Sequence, residues 1–220
     1  MLYVRFSKSL YGMLRAALLF YNRLRNYLEN MGFKINPYDP CVANKMVNGH
    51  QMTIYWHVDD LKVSHKDNND VTVLAEKIAD LYGPKTTISR GKVHEYLGMD
   101  IDWASVLGKM IVSMIKYLHK LIEEFPEFLR GTKASPAGYH MFTVREDGKR
   151  KLLPEEQARQ FHRIVAHLIF LCKHARPDIE SLILFLTTSV KYPDEDDWGK
   201  LKHGLIHMKG TRHMKRHMKA

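Results

Sequence analysis

The sequence predicts an α+β chain, with a small antiparallel sheet and its helices first and a helical region after it. Three observations carry this. Apolar residues recur at three- and four-residue spacing from Leu14 to Met31. Strand-like runs then meet at two turn signals, Asn48-Gly49 and Asp59-Asp60. From about residue 116 onward the apolar spacing is helical again.

In the first helix Leu14, Ala17, Leu18, Tyr21, Leu24, Leu28 and Met31 share one face, and Gly32 stops it. Asn36-Pro37-Tyr38-Asp39-Pro40 is a turn cluster. Val42–Val47 and Met52–Val58 are strand-like, and Asn48-Gly49 between them is a strong hairpin signal. Leu61 and Val63 continue an extended pattern after the acidic pair, so Asp59-Asp60 is expected at the tip of a second hairpin. Asp67-Asn68-Asn69-Asp70 offers the N-cap of a helix lined by Val71, Leu74, Ile78 and Leu81 and ended by Gly83-Pro84. Tyr96–Trp103 and Met110–Met114 read as a strand pair joined through Gly108. A helix over Tyr117–Phe125 precedes Pro126, and 130–154 reads as a linker. Phe161, Ile164, Val165, Leu168 and Cys172 line the next helix. Leu182, Ile183, Phe185 and Leu186 mark a buried one. A last helix runs over Asp196–Lys209, and the His-Met-Lys repeats that follow read as a frayed basic tail.

The chain has 220 residues and a formal charge of +10, and 201–220 carry six Lys or Arg and no acidic residue. This biases it toward polyanionic partners. Cys41 and Cys172 make no disulfide framework and point to a reducing, intracellular setting. No apolar run is long enough for a transmembrane helix, and the first residues do not read as a signal peptide.

The chemistry is expected at the second hairpin. Two adjacent carboxylates at the rim of a sheet repel each other, and a divalent cation relieves this. Mg²⁺ suits such oxygen donors, taking one or two carboxylates with substrate phosphates. An acidic turn is also well solvated without any ion. His57 is expected to share a face with Asp59. An unrelated metal-dependent hydrolase built on His57, Asp59, Asp60 and His65 would need a further ligand that the sequence does not nominate.

The chain resembles the reverse transcriptase of copia-type LTR retrotransposons over about residues 5–211. A Lys-Ser-Leu-Tyr-Gly segment opens the first helix as Lys8-Ser9-Leu10-Tyr11-Gly12. The Tyr-Val-Asp-Asp hairpin of the family reads His57-Val58-Asp59-Asp60. Its Tyr-Phe-Leu-Gly-Ile-Glu strand reads Tyr96-Leu97-Gly98-Met99-Asp100. An Arg-Pro-Asp-Ile segment reads Arg176-Pro177-Asp178-Ile179, and a Tyr-Leu-Lys-Gly-Thr ending reads His207-Met208-Lys209-Gly210-Thr211. Each motif is short, but five occur in the family's order.

The resemblance implies a partial polymerase palm over 1–115, a helical thumb- or connection-like region over 116–211 and a basic disordered tail over 212–220. It implies two-metal nucleotidyl transfer with Mg²⁺ or Mn²⁺, on an RNA template, a DNA primer and deoxynucleotides. Asp59 would be the main metal ligand and Asp60 a secondary one. Lys8, Tyr11 and Gly12 would line the nucleotide and template, Arg15 would meet a phosphate, and His57 a primer end. Residues 1–7 contain no acid, so the first catalytic strand, the fingers and the ribonuclease H and integrase parts are expected elsewhere in a polyprotein. The chain by itself is then expected to be inactive or nearly so. The alternative is a retrotransposon remnant that binds nucleic acid without catalysis.

Overall fold

The computed structural model describes residues 13–103 and 108–219. Its contacts divide the chain into two compact units, Met1–Ser89 and Arg90–Ala220. Among the described residues there are six α-helices and two four-stranded antiparallel sheets. The α+β expectation holds at that level.

The first unit begins with α1 (Leu14–Asn30), whose apolar stripe ends where Gly32 takes a φ of 84°. Strands β1 (Lys34–Ile35), β2 (Val42–Val47), β3 (His50–His57) and β4 (Asp60–Ser64) pair in sequence order. Asn48 and Gly49 both have positive φ, 50° and 78°, as a two-residue hairpin turn requires. Helix α2 (Asn68–Tyr82) starts where the Asp67 side chain accepts the Asn69 N–H at 2.7 Å. Both helices cover one face of the sheet. Leu24 and Leu28 of α1 and Leu74 and Ile78 of α2 pack with Ala43, Met52, Ile54 and Trp56. The alternation Met52, Ile54, Trp56 sends every second residue of β3 into this core. Tyr55 and His57 therefore lie on the opposite face.

The second unit joins a sheet to a helical core. The strand expected over Tyr96–Trp103 is instead split into β5 (Val93–Tyr96) and β6 (Met99–Asp102). Leu97 and Gly98 both adopt positive φ, 51° and 73°, and fold the run back on itself. β7 (Lys109–Ser113) follows, then α3 (Ile115–Glu123), α4 (Glu155–His174), α5 (Glu180–Thr188) and α6 (Glu195–Gly210). Met99, Ile101, Val112 and Met114 share one core with Leu118, Phe161, Leu168, Leu182 and Leu201. The sheet and the helices of this unit thus share one core, and the two units divide at Ser89/Arg90.

Residues 130–154 are irregular but do not link two bodies. They belong to a strap pinned on α6. Lys209 donates to the Leu129 carbonyl at 2.7 Å, His207 Nδ1 to that of Lys133 at 2.9 Å, and Lys200 to that of Thr143 at 2.7 Å. Trp198 donates to Glu127 at 2.6 Å, and Lys202 pairs with the same carboxylate. Leu129 and Met141 of the strap are buried in the core. The basic tail is not frayed either. Arg216–Lys219 forms β8 and pairs antiparallel with β7, Val112 opposite Arg216 and Lys109 opposite Lys219.

Candidate active-site hairpin

The β3–β4 register fixes the acidic turn. His57 stands opposite Asp60 and Trp56 opposite Leu61, so the two residues outside the strands are Val58 and Asp59. The tip is thus Val58-Asp59, and Asp60 is already the first residue of β4. A cross-strand pair shares one face, so His57 sits beside Asp60 rather than following Asp59 by alternation. Val58 turns the corner with a φ of 54°. That is the left-handed region, which a β-branched side chain adopts only under strain. His57, Val58, Asp59 and Asp60 are all exposed.

The face that bears His57 and Asp60 also carries Tyr55 opposite Lys62 and Thr53 opposite Ser64. Next to them the Thr53 hydroxyl donates to Asn44 at 2.8 Å, and Gln51 donates to both. Lys62 is half-buried, and this burial pushes its ammonium pKa down. Lys62 and Tyr55 were not singled out from the sequence, although the strict alternation around Ile54 and Trp56 places Tyr55 on this face.

Arg15 is exposed on the first turn of α1. Lys8, Tyr11 and Gly12 lie outside the described residues. His65 lies beyond the far end of β4, its ring near the Val47 carbonyl (3.3 Å) and the Asp70 carboxylate (3.5 Å). It does not join Asp59 and Asp60, so the hydrolase constellation does not assemble. Among the described residues no three His, Cys, Asp or Glu side chains group closely enough to hold a metal ion. Two successive carboxylates, one on the turn and one opening β4, suit a single hard cation that shares its sphere with water and phosphate. They do not suffice for a clamp around two ions, which needs ligands from both sides.

A family model described as reverse transcriptase (RNA-dependent DNA polymerase) matches residues 2–137, more than half of the chain and the whole acidic hairpin. This chain belongs to the reverse transcriptase family. Its copia-type character is borne out by two plant relatives. Over 216 residues it is 24% identical to the retrovirus-related Pol polyprotein from transposon TNT 1-94 of Nicotiana tabacum, covering 94% of this chain and 16% of that protein. Over 210 residues it is 25% identical to the retrovirus-related Pol polyprotein from transposon RE2 of Arabidopsis thaliana, covering 94% and 14%. The reverse transcriptase chain therefore spans less than a fifth of the length of these relatives. No solved structure matches it. Reverse transcriptases generally use divalent metals and act on nucleic acids. No helix among the described residues is long and apolar enough to cross a membrane.

Proposed function

We propose that this chain carries the catalytic hairpin of a copia-type RNA-directed DNA polymerase, working within a Pol polyprotein. In this reading the sheet of the first unit is the palm, and the helical part from residue 116 is thumb- or connection-like. Asp59 is the main ligand for Mg²⁺ and Asp60 the secondary one. His57 faces the primer end, while Lys8, Tyr11, Gly12 and Arg15 line the nucleotide and template. The observation that carries the reading is the strained Val58-Asp59 turn, which projects two carboxylates from the rim of a sheet inside the family match. The metal supplies charge neutralisation at the transferring phosphate.

Among the described residues no third ligand joins Asp59 and Asp60. Lacking one ligand of such a centre costs on the order of a thousandfold in rate or more. The 220-residue chain by itself is therefore expected to give at most trace synthesis. The test is primer extension on an RNA template with Mg²⁺ or Mn²⁺, next to Asp59→Asn, in protein shown to be folded. Any extension should vanish in the variant. Mn²⁺ should broaden the resonances of Val58–Leu61 in the presence of deoxynucleotide, and Asp59→Asn should remove that effect. Synthesis indifferent to Asp59→Asn, or no Asp59-dependent cation binding, would sink the assignment. The remnant alternative rests on basic charge, and no particular feature favours it.

A further inference from the structure

Two segments of the second unit that the hairpin chemistry does not use, Arg176-Pro177-Asp178-Ile179 and Lys209-Gly210-Thr211, meet in the folded chain. Arg176 is only 2% exposed. Its guanidinium forks onto Asp178, Nε to Oδ1 and Nη2 to Oδ2, each at 2.7 Å. The same group donates to the Thr211 hydroxyl at 2.8 Å and to the Thr211 carbonyl at 3.2 Å. Thr211 is where α6 ends. Its own N–H and hydroxyl both donate to the His207 carbonyl, at 3.0 and 2.8 Å. The His207 ring lies beside this cluster, Nε2 at 3.5 Å from Asp178.

From Thr211 the chain turns, the Met214 N–H donating to the Thr211 carbonyl at 3.0 Å, and enters β8. Arg216 then donates to the Lys173 carbonyl in the last turn of α4 at 2.7 Å. The two ends of the turn before β8 are thus tied to Arg176, just past the end of α4, and to the last turn of α4. β8 itself is a four-residue edge strand, and Met218 is its one residue packed against the core. So short an edge strand has little of its own to hold it in place.

We propose that Arg176 is a latch: by holding the end of α6 at Thr211, it sets the path that lays β8 on the free edge of β7. A buried guanidinium has more N–H donors than the two that Asp178 accepts, and Thr211 takes two more. Moving Thr211 away would leave these donors buried without partners. The turn is therefore fixed, and the strand after it is delivered in register. The latch couples the helical core to the sheet of the same unit through the C-terminal strand.

The full chain tests this by hydrogen exchange and by tryptic cleavage after Lys215 and Arg216. Thr211→Val keeps the shape and removes one acceptor of the latch, and Arg176→Gln removes the latch itself. In both, the amides of β8 should exchange about tenfold faster or more, and the C-terminal peptide should be released sooner. The amides of α4 and α5 should keep their protection in Thr211→Val. Unchanged exchange of β8 in a folded Arg176→Gln would overturn the proposal. So would unprotected β8 amides in the unmodified chain, or equal loss across β8, α4 and α5 in Thr211→Val, which would make the cluster a general brace. If Arg176→Gln does not fold, Thr211→Val decides alone.

Discussion

Val58 is the residue in which the hairpin stores its strain. A valine with a φ of 54° costs roughly 1–3 kcal/mol against a relaxed conformation. At 51% exposure its side chain gains little from burial in return. Val58→Gly should relieve the turn, partly offset by the freedom glycine adds to the unfolded chain. The expected net gain is about 1 kcal/mol, read as roughly fivefold slower exchange of the protected amides of β3 and β4. Asp178 gives a second residue-level expectation. Burial alone would raise its carboxyl, but the Arg176 guanidinium and the His207 ring outweigh this and hold it below the ordinary range. A carboxyl depressed in the folded state stabilises fully above its unfolded pKa, and the stabilisation is lost as pH falls through the folded value. Circular dichroism should show the second unit constant from about pH 5 to 7 and weakening below about 4. Asp178→Asn should make that acid limb shallower, the rest belonging to Asp194 and Glu127, which Arg150 and Lys202 also hold low.

At the level of elements, the crossing of α5 and α6 depends on Gly204. A Cβ there would collide with the Leu182 side chain. Alanine is the better helix former by about 1 kcal/mol, yet overpacking a tight core contact costs about 1–3 kcal/mol. Gly204→Ala should therefore lower the thermal stability of the second unit rather than raise it, as scanning calorimetry would record. Which elements were legible follows from where their information lies. The stripe of α1, the Asn48-Gly49 turn and the Asp67 cap are local signals, and each element formed where its residues pointed. The turn at Leu97-Gly98 was missed because the surrounding residues favour strand on either side, so the fold-back depends on two positive φ angles. β8 was missed because its sequence is polar and repetitive. Its pairing is set by β7, more than a hundred residues earlier in the chain.

For the whole molecule, the acidic hairpin was legible because both carboxylates and their turn are neighbours in sequence. The grip of Arg176 on Thr211 and the strap on α6 were not, because their contacts span 35 to 80 residues and several join side chains to backbone carbonyls, which composition cannot show. Those contacts also change how the formal charge of +10 is to be counted. Lys200, Lys209, Arg176 and Arg216 each spend hydrogen bonds on a carbonyl of this chain. Part of the positive charge that looks like an invitation to phosphate is occupied as internal scaffolding. In this protein basicity near the C-terminus measures how firmly an irregular strap and a short last strand are tied down, at least as much as it measures appetite for nucleic acid.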